Sequence, residues 1–179
     1  MLIHLYEDEP LAIEVVEAIR SGNLPTLQRL LADHPGLAAA RIVERGRHAG
    51  HDEPSRTLLH IAVDWPGRRP HVARTVAMLA EAGADVNARF IGARHAETPL
   101  HWAASCDDLE ALDALLDAGA DIEAPGAVIA GGTPLDDAVA FAQWRAAHLL
   151  VERGAQPALW HAAALGMTAA VEAHFAGSP

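Results

Sequence analysis

The chain reads TPLHWAA over residues 98–104 and LLDAGADI over residues 115–122, and variants of this two-part pattern recur on both sides of it. The other clear copies run from TLLHIA (57–62) to MLAEAGADVNA (78–88) and from TPLDDA (133–138) to LLVERGA (149–155). A unit that recurs every 20 to 50 residues or so is the sequence signature of a repeat architecture. The pattern therefore predicts helical units that bury their apolar faces against one another along the chain.

The unit resembles the ankyrin repeat, in which a Thr-Pro-Leu-His turn opens an inner helix, an outer helix ends in Gly-Ala-Asp, and a β-hairpin finger follows. Two degenerate copies extend the resemblance over most of the chain: VVEAIRSGN (15–23) with Leu27, Leu30 and Leu31, and WHAAALG (160–166) with Val171 and Phe175. Terminal copies are expected to be atypical because one face of each meets water.

The resemblance implies an all-α solenoid of about five helix-turn-helix repeats with short β-hairpin fingers, in a bacterial-type ankyrin repeat protein. We expect a single domain over residues 1–179. Its repeats should lie near 13–35, 57–88, 98–124, 133–155 and 157–176, with a long insert at 36–56. A second insertion, 65–71, separates the two helices of its repeat, because its Pro and Gly residues prevent helix continuation.

Individual residues give each repeat its expected form. Pro99 suits the first helical turn, where its missing N–H leaves no group unsatisfied, and the Thr98 hydroxyl can cap that turn. Leucines spaced three and four residues apart give the second helix an apolar stripe. Gly119, like Gly83 in the preceding copy, should end its helix with a positive φ, which only glycine adopts without a Cβ penalty.

The amino-acid composition excludes or disfavours several classes of function. The chain has 51% hydrophobic residues, a net charge of −11 and 13 basic residues, all of them arginine. Without lysine, Schiff-base chemistry is excluded, and the acidic balance disfavours nucleic acid. No apolar stretch approaches the roughly 20 residues that cross a bilayer. We expect a cytoplasmic protein, since a lone cysteine, Cys106, fits a reducing compartment.

Candidate chemical groups are few. His60 and His101 occupy the turn position where ankyrin-like sequences use histidine for hydrogen bonds between neighbouring turns. His48 and His51 offer zinc-type ligands, but they lie in an expected loop with no Cys pair to complete a tetrahedral site. Cys106 follows His101 by five residues, which places the two side chains on different faces of a helix. The sequence thus favours a protein with no catalytic set, no cofactor and no metal.

A partner groove is the stronger candidate. In proteins similar to this one, contacts come from the finger tips and from the two residues after the Ala-Ala pair of each inner helix. At the inner-helix positions stand Asp64 and Trp65, Ser105 and Cys106, and Ala140 and Phe141; the fingers supply Arg89, Phe90, Ile91, Arg94, His95, Val128, Ile129 and Ala130. Trp65, Phe90, Phe141, Val128 and Ile129 would form an exposed apolar strip, and such strips usually mark binding sites.

Two functions follow. The first is a non-catalytic module that binds another protein, of unidentified nature, through this strip, with Arg89 and Arg94 selecting acidic groups. The second is a small-molecule-binding protein or enzyme with a pocket under the 36–56 loop, in which Asp64, His95 or His101 acts as acid or base. The strip could also pack against the inserted loop as ordinary core. We expect Trp102, between the turn and the Ala pair, to be half-buried core.

Overall fold

A computed structural model describes residues 3–45, 53–92 and 95–176. The described part contains ten helices in five consecutive pairs. They are α1 Pro10–Ser21 and α2 Leu24–Asp33, α3 Leu58–Val63 and α4 Val72–Glu81, α5 Pro99–Ser105 and α6 Leu109–Asp117, α7 Pro134–Ala140 and α8 Trp144–Glu152, and α9 Leu159–Ala164 and α10 Thr168–Ala176. None of the helices within these ranges is long and apolar enough to span a bilayer.

The three clear copies begin in the same way. Thr57, Thr98 and Thr133 are the N-cap residues of α3, α5 and α7, each in extended backbone conformation. Pro99 and Pro134 occupy the first turn of their helices, as the sequence predicts. The Thr57 and Thr133 hydroxyls accept the backbone N–H groups of His60 and Asp136, and Pro99 and Pro134 each remove an N–H that would have no partner in the helix.

The helices lie in two layers. One layer is made by contacts of α1 with α3, α3 with α5, α5 with α7 and α7 with α9, and the other by contacts of α2 with α4, α4 with α6 and α6 with α8. Fully buried leucines from both layers, among them Leu59, Leu100 and Leu115, fill the core between them. Ala103 and Ala104 are also fully buried, and their small side chains permit the close approach of neighbouring helices.

The segment expected to be a long loop, 36–56, contains regular structure, which corrects that expectation. A 3₁₀ turn at Leu37–Ala39 leads into β2 (Arg41–Val43), and β3 (Ser55–Thr57) follows. With β1 (His4–Tyr6), these strands form a sheet of order β1-β2-β3, parallel between β1 and β2 and antiparallel between β2 and β3. The named strands of the described chain thus lie in this sheet rather than in the expected fingers, where one isolated bridge joins Ile91 to Ser55.

The sheet is joined to the helical stack by Arg41, which is 6% exposed. Its guanidinium group donates to the Ser55 hydroxyl (2.9 Å), the Ser55 carbonyl (2.8 Å) and the Arg89 carbonyl (2.8 Å). Because burying an arginine is unfavourable unless its donors find acceptors, these three bonds account for its position. They also fix the start of the finger that follows α4.

Helix ends agree with the glycine prediction. Gly83 and Gly119 follow the C-caps of α4 and α6 with φ of 96° and 93°.

The first helix begins at Pro10, three residues before the expected start of its repeat at 13. Asn23 caps α2 by accepting the Thr26 N–H (3.1 Å), and this explains the turn between the first two helices.

Candidate functional site

Two buried histidines tie successive turns together. Backbone N–H groups of Thr57 and Thr98 donate to Nδ1 of His60 (3.3 Å) and His101 (3.1 Å), so each ring carries its proton on Nε2. His60 Nε2 lies 3.1 Å from the Glu97 carbonyl, and His101 Nε2 lies 3.3 Å from the Gly132 carbonyl. Each ring thus spans from its own turn to the next, and the structural role expected for both histidines is confirmed.

The fourth copy makes the same tie from the opposite side. Asp136, which replaces histidine, accepts the Thr133 N–H (2.6 Å) and hydroxyl (2.8 Å). Unlike a histidine ring, it has no N–H that could donate to a carbonyl of the next turn. His161 in the last pair compensates, because its Nε2 lies 3.2 Å from Asp136 Oδ1. Burial lowers the pKa of His161, so this contact joins an uncharged imidazole to the Asp136 carboxylate where the earlier copies have a histidine-to-carbonyl bond.

A cavity of about 490 Å³ lies between the ends of the inner helices and the fingers. It brings together seven of the residues that the sequence places at the groove: Asp64, Trp65, His95, Ser105, Cys106, Val128 and Phe141. Three more residues line it, namely Glu97, Trp102 and Gln143. Trp65 is 79% exposed and Phe141 46%, so the cavity opens to solvent between two aromatic side chains.

Glu97 organises the floor of this cavity. Its side chain is almost completely buried and accepts the Trp102 indole N–H (2.8 Å) and the Val128 backbone N–H (2.9 Å). Nδ1 of His95 lies 2.9 Å from the same carboxylate. The Glu97 carboxylate therefore contacts three parts of the cavity: Trp102 on α5, Val128 in the finger after α6, and His95 in the loop before α5. An acidic residue directly before the Thr-Pro-Leu-His turn was the available signal for this role, and sequence reasoning did not use it.

A second acid is buried beside Glu97. Asp137, on α7, is fully buried at the position equivalent to Trp102 in the preceding copy. Burial raises the pKa of Asp137 to about 8, the neighbouring Glu97 carboxylate adds to the rise, and the backbone of Ile129 opposes it. At neutral pH Asp137 therefore holds its proton beside the Glu97 carboxylate.

The other proposed contact residues lie outside the cavity lining. Phe90 is half-buried and packs with its ring centroid 4.7 Å from that of His95 and 5.7 Å from that of Trp102, so it supports the wall from behind. Arg89 donates to the Pro125 carbonyl (2.8 Å), which joins two neighbouring fingers. Ile129 is 41% exposed on its finger. Arg94 lies outside the described residues.

The alternative pocket does not form around the acid-base residues proposed for it. The cavity that contains Asp64 and His95 is lined by no residue of 36–45 or 53–56, the described parts of that segment. His101 is fully buried, and both of its ring nitrogens are used in the turn ties. No observation supports this alternative.

Trp102 has two roles. It packs against the core as expected, with its ring edge-on to His60 at 4.9 Å between centroids, and it also forms a cavity wall. Cys106 lines the same cavity, and burial raises the pKa of its thiol, which keeps it a weak nucleophile.

The candidate metal ligands cannot be placed, since His48 and His51 lie outside the described residues. Among the residues in 3–45, 53–92 and 95–176, no cluster of three or more His, Cys, Asp or Glu side chains could hold a metal ion.

Residues 96–127 match the family model of the ankyrin repeat. This stretch runs from just before α5 into the finger after α6, and it supports the ankyrin repeat family for the chain. Ankyrin repeats are generally protein-interaction modules. No curated protein matches the chain.

Proposed function

We propose that the protein is a non-catalytic interaction module that binds another protein in the groove formed by its inner helices and fingers. The observation that carries the proposal is the exposure of apolar side chains around one cavity: Trp65 at 79%, Phe141 at 46% and Val128 at 45%. Large aromatic side chains left in water by an otherwise well-packed fold are the usual anchors of protein interfaces.

The rigidity of the groove also supports binding. Trp102 and Val128 are fixed by Glu97, and neighbouring turns are tied through His60 and His101. A surface that is already ordered before binding loses little conformational entropy on association. Residues from four separate segments can thus act together on one partner.

The proposal includes a bacterial-type ankyrin solenoid of about five repeats in a cytoplasmic protein. The five helix pairs support the repeat number, and the single cysteine suits a reducing compartment. A net charge of −11 favours a protein partner over nucleic acid.

The experiment compares three alanine variants of the full chain. Affinity capture from the source cells identifies binding proteins, and each is then purified and titrated by calorimetry. We expect Trp65→Ala and Phe141→Ala each to weaken binding by about 2 kcal/mol with unchanged melting temperatures. Trp160→Ala is the matched control, because Trp160 is 45% exposed but does not line the cavity. Equal loss in all three variants, or no loss in the first two, overturns the proposal.

A further inference from the structure

The cavity combines aromatic walls with acidic groups. Trp65, Trp102 and Phe141 contribute the aromatic side chains, and Asp64 and Glu97 contribute carboxyl groups. None of the described residues that line it is an arginine, and the chain contains no lysine. The lining therefore supplies carboxyl groups and aromatic surface, and its one basic side chain, His95, lies 2.9 Å from the Glu97 carboxylate.

The negative charge is not cancelled by nearby arginines. Arg56 is shared between Asp64 (3.3 Å) and Glu44 (3.6 Å), so two carboxylates compete for one guanidinium and one negative charge remains. Arg69 directs its Nη2 to the carbonyl oxygens of Asp64 (3.5 Å) and Trp65 (3.3 Å). Neither arginine lines the cavity, although Arg56 pairs with Asp64 and the charge of Arg69 reaches the Cys106 thiol.

An organic cation satisfies both features of the lining at once. A cation over an aromatic ring gains about 0.5–2 kcal/mol, and the gain rises as water is excluded. Among protein side chains, arginine fits best because its guanidinium is planar, weakly hydrated, stacks on aromatic rings and pairs with carboxylates through several donors. The volume of about 490 Å³ leaves room for the whole side chain with its backbone at the rim.

We infer that this cavity binds an arginine side chain of the partner protein, between Trp65 and Phe141 and next to the carboxylate of Asp64. The inference rests on the proposed function, since it names the group of the partner that enters the groove. Val128 and Gln143 then contact the aliphatic part of the arginine and the adjoining partner backbone.

The test uses blocked single residues as probes. N-acetyl-arginine methylamide is titrated into the ¹⁵N-labelled full chain, and the indole N–H signals of the tryptophans are followed by NMR. The lysine analogue matches the charge, and the citrulline analogue matches the shape without the charge. We expect saturable shifts at Trp65 and Trp102 with little change at Trp160, and binding of the arginine probe about fivefold tighter than that of citrulline.

Variants separate charge from aromatic contact. Asp64→Asn should weaken the arginine probe several-fold and leave the citrulline probe unchanged, Trp65→Ala should weaken both, and Trp160→Ala should weaken neither. Equal affinity for arginine and citrulline, tighter binding of lysine, or no saturable shift overturns the inference.

Failure of this inference is distinguishable from failure of the proposed function. A partner that depends on Trp65 and Phe141 but uses no arginine leaves the proposed function standing and removes the arginine assignment. Conversely, arginine binding at the cavity without any partner that depends on Phe141 leaves the site standing and removes the groove as a protein interface.

Discussion

At the scale of single residues, the chain uses buried ionisable groups to position neighbouring copies, and this makes its stability depend on pH. His60 and His101 are neutral donors and acceptors between turns, whereas Asp137 is a protonated acid beside a carboxylate. Because each group is held in its uncharged form, each has a folded-state pKa displaced from that of the unfolded chain. The shifted pKa values of the histidines and of Asp137 change the free energy of unfolding in opposite directions as the pH rises.

The buried histidines should make the protein sensitive to acid. Burial lowers the pKa of His60 from 6.5 to about 3, and burial also lowers the pKa of His101. Between these values the unfolded chain binds protons that the folded chain does not, so stability falls as the pH drops from about 6.5 towards 3. Urea unfolding at several pH values measures the slope, and His60→Gln should flatten it. A slope that is the same in both proteins contradicts the assignment.

Asp137 should act in the opposite direction. Its pKa rises from 3.8 to about 8 on folding, so its contribution is present below pH 4 and is lost as the pH rises towards 8. Asp137→Asn removes this loss and keeps a donor for Glu97. We expect the variant to be more stable than the wild type by at least about 1 kcal/mol at pH 8, with the difference shrinking towards pH 4. A difference that does not change with pH contradicts the raised pKa of Asp137.

At the scale of helices, the ends are fixed by side-chain caps at the start and glycines at the finish. Gly22 and Gly119 both follow helices with φ of 68° and 93°. Their surroundings differ, since a Cβ at Gly119 would meet nothing within 4 Å, whereas one at Gly22 would clash with the Pro70 carbonyl. Gly119 is thus required by backbone conformation alone, and Gly22 also by the neighbouring loop.

Alanine at these two glycines should separate the two requirements. Gly119→Ala introduces only the left-handed backbone penalty, about 1–2 kcal/mol. Gly22→Ala adds the clash with Pro70, so it should lower the free energy of unfolding by clearly more. Thermal and urea unfolding of both variants measure the difference. Equal losses would show that the loop carrying Pro70 moves aside without penalty.

The helices were predictable from sequence and the sheet was not. The Thr-Pro-Leu turn and terminal glycine recur, so α3 to α8 could be placed by register. By contrast, β1, β2 and β3 have three residues each, too few to show an alternating pattern, and β1 pairs with β2 across the whole α1–α2 pair. Only the tertiary structure makes them strands.

The candidate site was predictable to the extent that repeat register controls it. Trp65, Cys106 and Phe141 could be brought to one cavity because equivalent positions in stacked copies lie side by side. Glu97 could not, because its role depends on donors from Trp102 and from the next finger. Gln143 precedes an outer helix, a position the groove pattern does not include.

At the scale of the whole molecule, burial declines towards the last helix pair. None of the residues of α10 is buried, and Phe175 is 65% exposed. α9 buries His161 and Ala162, and His161 Nε2 lies 3.2 Å from Asp136 Oδ1. The last pair is therefore held to the stack by fewer buried groups than the central pairs.

Hydrogen exchange should reveal this gradient. We expect backbone amides of α9 and α10 to exchange at least about tenfold faster than those of α5 and α6, because local opening exposes little apolar surface. Asp136→Asn should speed exchange further in α9 and at the start of α7, where Asp136 accepts the Thr133 N–H and hydroxyl. Uniform protection from α5 to α10 would instead indicate one cooperative unit.

The small sheet has a consequence for the kinetics of folding. Most helices contact their neighbours along the chain, which is a low-contact-order arrangement that assembles quickly. β1 pairs with β2 across α1 and α2, at a separation along the chain similar to that between the inner helices of successive copies. The nascent chain thus carries β1 without its strand partner until α1 and α2 have been synthesised.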